Sequence, residues 1–271
     1  MDQAATSWLE LQAKICVVTG GASGIGEAIA HELARHGAKV VVLDRNADGA
    51  QHVAHAIREA GGTAMAIACD TTQSHSIEHA AALVLSQWGN CHALVNNAGM
   101  LRAGSLAQVS AQDWNDVLAV NLTGYLLCAQ AFGAQMRTAG SGSIVNVASI
   151  AGVTPQSHSG AYSASKAGVL LMSRQLAVEW GSAGVRSNAI CPGMIRTPLS
   201  AKFYEEPGFE EKRALVTASR RIGEPQDIAN VAAFLASPRS AYINAAEILV
   251  DGGMSSMLMD MVPRPGFNHT T

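Results

Sequence analysis

The stretch VVTGGASGIGEAIA, residues 17–30, joins an apolar run to a helical segment. The valines before the glycines predict a buried strand, and the segment after them predicts a helix. Gly20, Gly24 and Gly26 have the spacing G-x-x-x-G-x-G, which permits a tight turn and brings backbone N–H groups close to a ligand. The glycines could serve the turn alone, but the strand before and the helix after favour a pyrophosphate site.

The same alternation of strand and helix continues along the chain. Seven apolar runs predict strands, at 15–20, 39–44, 64–70, 92–99, 142–149, 185–193 and 247–253. Helical stretches lie at 24–37, 48–62, 76–89, 111–138, 161–181 and 224–237. The strands show little polar alternation, which is typical of strands buried on both faces. We therefore expect an α/β fold, a doubly wound Rossmann-type seven-stranded parallel sheet with helices on both faces.

Composition limits the class of protein. The chain has 271 residues, of which 48% are hydrophobic and 14% charged, and its net charge is -3. This balance argues against nucleic acid as a partner. The sequence has no run of eighteen apolar residues and no apolar core of a secretion signal near its start, so we expect no membrane span and a cytoplasmic protein. Five cysteines without a C-x-x-C pair suit reduced thiols.

No composition break, linker or internal repeat divides the sequence, so residues 1–271 are expected to form a single dinucleotide-binding and catalytic domain. The longest stretch without a predicted strand runs from about 194 to 246. Its first part, about 194–220, follows a strand end and is the expected place of a substrate lid. The methionine-rich tail, 254–271, is either a frayed terminus or a cover for a subunit interface or a neighbour's substrate pocket.

The second predicted strand ends in Asp44, eighteen residues after Gly26. A carboxylate in this place accepts hydrogen bonds from the adenosine ribose and repels a 2′-phosphate. The glycine turn contains no Lys or Arg to hold such a phosphate, although Arg45 is adjacent to the acid. We therefore expect NAD rather than NADP as the cofactor. A solvated acid at a strand end is the alternative interpretation.

Polar side chains also follow the later strands. NNAG, residues 96–99, follows the fourth strand, and Ser149 closes the fifth. Tyr162 and Lys166 lie one helical turn apart on a shared face of the next helix. Because ligands bind outside the carboxyl ends of strands in such a sheet, these groups are expected to converge on the cofactor.

The sequence resembles the short-chain dehydrogenase/reductase family, of the single-domain type, from about residue 12 to about residue 253. The motifs that carry the resemblance are TGGASGIG (19–26), NNAG (96–99), VNLTG (120–124), Ser149, YSASK (162–166) and CPGMIRTP (191–198). All six in this order and spacing are far more specific than any one of them. No catalytic position departs from the family pattern.

The resemblance implies a role for each catalytic residue. Tyr162 is the general acid/base at the substrate oxygen, and Ser149 hydrogen-bonds that oxygen. Lys166 binds the nicotinamide ribose and supplies an ammonium, which favours the phenolate of a tyrosine whose ordinary pKa is about 10. Asn121 holds a water that links Lys166 to solvent. Asn121 could instead satisfy backbone groups in a helix kink, and a Tyr–Lys pair can be ordinary helix surface.

The resemblance also implies a set of residues that bind the cofactor. They are Gly20, Ser23, Gly24, Ile25, Gly26, Asp44, Asp70, Asn97, Gly99, Tyr162, Lys166, Pro192, Gly193, Ile195 and Thr197. Within this set, Asp70 resembles the acid that contacts adenine, and Thr197 the residue that meets the nicotinamide carboxamide. Asp70 could also be a plain strand-end acid, and Thr197 a helix N-cap before Pro198.

The substrate is not identified, but two side chains are candidate contacts. His158 lies in the loop before Tyr162, which borders the substrate in the family, and Phe203 lies in the lid. His75 and His79 have the spacing of metal ligands on a helix. No cysteine or acid cluster accompanies them, so we expect no metal.

The sequence therefore predicts an NAD-dependent oxidoreductase that transfers a hydride between a nicotinamide cofactor and a secondary alcohol or ketone. One alternative is an NADPH-dependent 3-oxoacyl-carrier-type ketoreductase, which Asp44 disfavours. The other is a catalytically silent cofactor-binding regulator, which the complete Tyr–Lys–Ser–Asn set disfavours. The family resemblance implies a homotetramer built through the long helices.

Overall fold

Seven strands rich in Val, Ile and Ala form one sheet in the order β3-β2-β1-β4-β5-β6-β7, and every neighbouring pair is parallel. They are β1 (Ile15–Thr19), β2 (Lys39–Asp44), β3 (Thr63–Ala68), β4 (Ala93–Asn96), β5 (Gly142–Val147), β6 (Val185–Pro192) and β7 (Glu247–Val250). All but β2 end earlier than the sequence predicts, because the polar residues after them turn into loops at the sheet edge. The computed structural model describes residues 8–198, 200–263 and 266, with the side chains of Lys202 and Phe203 left out.

Helices cover both faces of the sheet, as the sequence predicts. They are α1 (Gly24–Arg35), α2 (Ala47–Glu59), α3 (Ser74–Gln87), α4 (Ala111–Leu118), α5 (Gly124–Ala139), α6 (Tyr162–Trp180), α7 (Phe209–Leu215) and α8 (Pro225–Ala236). Helices α1, α2 and α8 bury Ile29, Val53 and Ile228 in one core cluster with the sheet. Helices α3, α5 and α6 pack on the opposite face. The predicted Rossmann-type architecture is confirmed.

Five short 3₁₀ turns connect these elements, at Ile150–Gly152, Gly181–Ala183, Ala201–Tyr204, Pro238–Ser240 and Met254–Ser256. The first, third and fifth follow the carboxyl ends of β5, β6 and β7. The chain therefore turns sharply at the edge of the sheet where ligands bind in this fold.

The helix that the sequence predicts at 111–138 is interrupted. A π-helical turn, Ala119–Thr123, separates α4 from α5 and carries the buried Asn121. Such wide turns are frequent at functional sites, because the extra residue re-aims a side chain. The sequence did not predict the interruption, since the apolar pattern continues through it.

The same stretch, Ala111–Ala139, contains a window of eighteen residues with a mean hydropathy of 1.5, and it is long and apolar enough to cross a membrane by length and composition alone. In the fold, α5 packs Cys128, Phe132 and Met136 against the sheet. Its apolar side chains thus have a place in the protein core.

The order of the strands reverses at β1, which lies between β2 and β4. From that point the chain builds the sheet outward first in one direction and then in the other. A crevice opens at the carboxyl ends of strands wherever such a reversal occurs.

The five cysteines are buried and free, and none lies in a disulfide.

Candidate active site

A cleft of about 1350 Å³ runs along the carboxyl ends of the strands. Most of the predicted site residues line it, namely Gly20, Ser23, Gly24, Ile25, Asp44, Asp70, Asn97, Gly99, Ser149, Tyr162, Lys166, Pro192, Gly193, Ile195 and Thr197. Gly26 and Asn121 are buried beside the cleft and do not line it. The structure thus brings together groups that are up to 177 positions apart in the chain, from Gly20 to Thr197.

Two glycines of the turn after β1 are required by close packing. Gly20 has a φ of +63°, and a Cβ on it would lie 2.7 Å from the Cα of Ala98. A Cβ on Gly26 would collide with the carbonyl oxygen of Gly20. The side-chain amide of Asn97 donates to the carbonyl oxygens of Thr19 and Gly20, each at 3.1 Å. Asn97, predicted to line the cofactor channel, therefore also fixes the glycine turn against β4.

The glycine turn leads directly into the N-terminus of α1. Its N-cap residue, Ser23, makes no side-chain cap bond. The first N–H groups of a helix have no partner within the helix, and they attract anions. Because Ser23, Gly24 and Ile25 also line the cleft, these residues fit the pyrophosphate of a dinucleotide.

Two carboxylates lie at the β2–β3 end of the cleft, and both are held in place. Asp44 accepts hydrogen bonds from the backbone N–H groups of Ala22 at 3.0 Å and Asn46 at 2.9 Å. Asp70 accepts from both the backbone N–H and the hydroxyl of Thr72, at 2.9 and 2.8 Å. The bond from Ala22 ties the end of β2 to the glycine turn, so the Asp44 carboxylate has a fixed position at this end of the cleft.

Ser149 and Tyr162 meet at the other end of the cleft. Ser149 follows β5, and its hydroxyl accepts a hydrogen bond from the N–H of Ala151 at 3.0 Å. Tyr162 is the first residue of α6, and it lines the cleft together with Ser149. Burial raises the pKa of the Tyr162 phenol, and the hydrogen bond with Ser149 acts in the opposite direction. Two hydroxyl groups are thus paired where a substrate oxygen can reach both.

Lys166 lies one turn further along α6 and is only 3% exposed. Its Nζ donates to the carbonyl oxygen of Val147 at 2.8 Å and lies 5.8 Å from the centre of the Tyr162 ring. Burial lowers the pKa of the Lys166 amine to about 7. The family resemblance implied a charged lysine that lowers the pKa of Tyr162. In the protein alone, burial has the larger effect on both groups.

Asn121 connects three parts of the site from inside the π-helical turn. Its Oδ1 accepts from the backbone N–H of Met100 at 2.8 Å, and its Nδ2 donates to the Met100 carbonyl at 2.9 Å. Nδ2 also donates to the hydroxyl of Ser165 at 3.1 Å. These bonds satisfy backbone groups, which was the alternative role for Asn121. Its implied role in holding a water stays a prediction.

The segment after β6 covers the glycine turn. A Cβ on Gly193 would lie 2.7 Å from the Cα of Asp251, so only glycine lets β6 pass the end of β7. The N–H of Thr197 donates to the hydroxyl of Ser200 at 3.0 Å, and Ser200 is the N-cap of the 3₁₀ turn Ala201–Tyr204. Among the described residues Thr197 therefore caps no helix. Its hydroxyl pairs with that of Ser200 at 3.3 Å, and the residue lines the cleft.

The predicted contact between His158 and the substrate is not supported. His158 is exposed, has a φ of +56°, and does not line the cleft. Its carbonyl accepts a hydrogen bond from the N–H of Gly104, which holds this part of the loop against the Gly104 segment. The cleft is lined instead by Thr154, Pro155 and Gln156 of the same loop. The side chain of Phe203, the second predicted contact, lies outside the described residues.

The start of the C-terminal tail lines the cleft of its own chain. Met254, Ser255, Leu258 and Met261 all belong to the lining. The sequence left open a frayed terminus and a cover for a subunit interface or a neighbour's pocket, and the interface stays a prediction. Asp251 begins this turn by accepting from the N–H groups of Gly253 and Ser255. The sequence signal was the methionine-rich composition, but composition alone does not say which pocket a tail reaches.

The lid adds a cluster of rings and guanidinium groups. The Tyr204 ring lies between Arg196 and Arg213, whose guanidinium carbons are 5.0 and 5.2 Å from the ring centre. Arg213 lies 5.7 Å from the ring centre of Phe209 and also lines the cleft. Tyr204 and Phe209 thus pack against arginines within the segment after β6.

The described part of the chain contains no group of three or more His, Cys, Asp or Glu side chains that could hold a metal ion. His75 and His79, which have ligand spacing, lie in the first turns of α3.

Comparison with known proteins finds relatives along nearly the whole chain. Residues 20–255 match the family model described as Enoyl-(Acyl carrier protein) reductase. The D-threitol dehydrogenase of Mycolicibacterium smegmatis is 41% identical over 243 residues, covering 90% of this chain and 93% of that protein. The 2,5-dichloro-2,5-cyclohexadiene-1,4-diol dehydrogenase of Sphingobium indicum is 38% identical, covering 90% and 97%. A gluconate 5-dehydrogenase from Burkholderia cenocepacia, crystallised with NADP and tartrate, has a TM-score of 0.87 at 30% identity, covering 91% and 96%.

Proposed function

The chain belongs to the short-chain dehydrogenase/reductase family, whose members act on CH–OH groups, and we propose that it uses NAD to oxidise a secondary alcohol to a ketone. The observation that carries this proposal is the meeting of Ser149, Tyr162 and Lys166 at one end of a cleft that a dinucleotide fits. These three residues come from the end of β5 and the start of α6.

The residues of the cleft fit NAD along its length. Asp44 and Asp70 would hold the adenosine, the N-terminus of α1 the pyrophosphate, and Thr197 and Lys166 the nicotinamide half. When bound, the cofactor supplies a ring that takes a hydride from the alcohol carbon. The protein contributes orientation of the substrate and control of the proton.

The proton passes through Tyr162. Its phenolate oxygen takes the hydroxyl proton of the alcohol as the carbonyl forms. Ser149 donates a hydrogen bond to the same substrate oxygen and steadies its developing charge. Lys166 favours the phenolate of Tyr162 when its amine is charged. In the reverse direction Tyr162 returns the proton to the ketone oxygen.

The choice of NAD over NADP rests on Asp44. Its carboxylate is fixed by two backbone N–H bonds, so it cannot easily swing away from a 2′-phosphate. Arg45 lies next to it and also lines the cleft, which gives a 2′-phosphate one possible partner. The gluconate 5-dehydrogenase relative was crystallised with NADP, so cofactor choice varies among similar chains. Direct comparison of the two cofactors decides the point.

The substrate end of the cleft is mixed in character. Met100, Leu101 and Met194 give it apolar walls, and Gln156 and Arg213 add polar groups. The relatives named above act on D-threitol and on a chlorinated cyclohexadienediol, and both of these carry more than one hydroxyl group. We propose a small polyol or cyclic diol, whose further hydroxyl groups pair with the polar side chains.

Two other functions are less well supported. The matching family model is described by an acyl-carrier reductase, but a reductase of that kind that uses NADPH must place a 2′-phosphate beside Asp44. A silent cofactor-binding regulator needs no proton donor at the substrate oxygen. The presence of Ser149, Tyr162 and Lys166 together in the lining of the cleft favours catalysis.

The test is a panel of alcohols measured by NADH or NADPH absorbance. The panel contains threitol and other polyols, cyclic diols, gluconate and hydroxysteroids, each with NAD and with NADP. We expect oxidation of at least one polyol or cyclic diol, with NAD used better than NADP. Cofactor binding without oxidation of any alcohol would support the regulator instead, and better use of NADP would overturn the cofactor proposal.

A further inference from the structure

Tyr125 places a buried hydroxyl group against Lys166. It lies in the first turn of α5 and is 1% exposed. Its ring packs in a core cluster with Val169, Leu170 and Ala189. Its hydroxyl group, however, points to the end of β5, where the amine of Lys166 lies.

Three polar groups form a closed triangle at this point. The Tyr125 hydroxyl donates to the carbonyl oxygen of Val147 at 3.1 Å. The Lys166 amine donates to the same carbonyl at 2.8 Å and to the Tyr125 oxygen at 3.3 Å. A phenol has one hydrogen, and Tyr125 directs it to Val147. Its oxygen lone pairs are therefore turned toward Lys166 as acceptors.

We propose that Tyr125 is a positioning residue for Lys166, because its hydroxyl holds the amine at the end of β5 and favours the charged ammonium form. An ammonium has three donors, and two of them are used at Val147 and Tyr125. The third is left for the cleft, which Lys166 lines. The Nζ atom also lies 5.1 Å from the centre of the Tyr125 ring, a distance at which the ring face attracts a cation.

The surroundings of Lys166 make this acceptor important. The titratable groups that face the amine are Tyr162 on its own helix, Tyr125 on α5 and Cys191 on β6. Burial raises the pKa of Tyr125 well above its ordinary value and that of Cys191 to about 11, so both are neutral at physiological pH. No fixed negative charge among the described residues offsets the burial of the amine. Neutral acceptors such as Tyr125 therefore decide how far the charged form is populated.

This inference rests on the proposed function only in its consequence for the reaction. A less charged Lys166 favours the Tyr162 phenolate less, so alcohol oxidation would need a higher pH. The link between Tyr125 and Lys166 itself does not require turnover. It can be measured in the protein without cofactor or substrate.

The test follows the amine of Lys166 by NMR. The chain has five lysines, so protein grown with lysine labelled with ¹³C at Cε gives a simple spectrum. Lys166→Arg identifies the Lys166 signal, and a pH titration gives its midpoint. Tyr125→Phe keeps the ring that fills the core and removes only the hydroxyl. We expect the midpoint of Lys166 to fall by about 0.5–1 pH unit, as expected for a long hydrogen bond to a charged group.

Ser173→Ala is the matched control. Ser173 is a buried residue of α6, the helix that carries Lys166. Its hydroxyl bonds to Asn146 and Ser187 rather than to Lys166. Its loss should leave the Lys166 midpoint unchanged. An unchanged midpoint in Tyr125→Phe, with a folded protein by thermal unfolding, overturns the proposal. Equal shifts in both variants overturn it as well, because they indicate a general loosening of the core.

The second measurement is the pH profile of kcat/KM for alcohol oxidation. In Tyr125→Phe the acidic limb should move to higher pH, because a less charged Lys166 favours the phenolate of Tyr162 less. If no alcohol is oxidised by the unaltered protein, the proposed function fails while the NMR titration still decides the role of Tyr125. If the midpoint shifts but the profile does not, Tyr125 positions Lys166 without acting on Tyr162, and the catalytic part of the proposal is wrong.

Discussion

Two parts of the lining of the cleft are built in different ways. Ser149 and Lys166 are 9% and 3% exposed, and they are attached to the end of β5 and the first turns of α6. Leu258 and Met261 are 73% and 63% exposed, and they belong to the tail beyond β7. The first pair is held by the sheet and the core. The second pair is held by a chain of turns that begins at Asp251.

This difference teaches which property each part can determine. Groups that move a proton must be placed within hydrogen-bond distance of the reacting atom, and buried strand ends provide that accuracy. Groups that select a substrate need only surround it, and exposed loops can do so. Substitutions at strand ends should therefore alter the rate or the cofactor, and substitutions in the tail should alter the apparent affinity for substrate.

The largest effect is expected from Tyr162→Phe, which removes the proton acceptor and keeps the ring. We expect kcat to fall by about 10³-fold, in the range usual for loss of a general acid–base group. Binding of NADH, measured by fluorescence, should change little because the glycine turn is untouched. A lower kcat with unchanged NADH binding would confirm that Tyr162 acts in the reaction and not in cofactor binding.

Tyr242→Phe is the control for this substitution. Tyr242 is fully exposed and lies outside the cleft, so its hydroxyl should have no effect on kcat. A loss of less than about tenfold in Tyr162→Phe would contradict the proton-transfer role, given that this role is worth at least about a hundredfold.

How much could be predicted from the sequence follows the same division. Buried parallel strands are continuous apolar runs, so the sheet and the residues at its carboxyl edge could be predicted. The π-helical turn at Asn121 could not, because the apolar pattern continues through it and the partner of the Asn121 side chain, Met100, is distant in sequence. In the same way, the apolar pattern of α5 does not show that the hydroxyl group of Tyr125 has polar partners.

The loop before Tyr162 and the C-terminal tail were predicted less well than the strand ends. His158 was named because its loop borders the substrate, but the bond between His158 and Gly104 fixes that loop with other residues toward the cleft. The tail was recognised as unusual from its methionines, yet the pocket it lines depends on the turn at Asp251. Loop direction depends on such tertiary contacts, which leave little local pattern.

A smaller effect, on the choice between NAD and NADP, is expected from Asp44→Ser at the end of β2. Hydrogen bonds to a charged group are worth about 1.5–3 kcal/mol, so the ratio of kcat/KM for NAD to that for NADP should fall about 10- to 100-fold. Asp48→Ser is the control, because Asp48 is an exposed acid of the nearby first turn of α2 and does not line the cleft. An unchanged ratio in Asp44→Ser would show that Asp44 only supports the glycine turn through Ala22.

The smallest effect is expected from Leu258→Ala in the tail. The side chain is largely exposed in the free protein, so it gains burial only when a substrate lies against it. Covering about 40 Å² of apolar surface is worth about 1 kcal/mol, which corresponds to a rise in KM of about fivefold. The value of kcat should not change, because this contact is the same in the ground state and the transition state. Met259→Ala is the control, since Met259 is exposed in the same tail but does not line the cleft. Equal KM values for the two variants would mean that the tail does not touch the substrate. The residues that select the substrate would then have to be sought in the segment after β6.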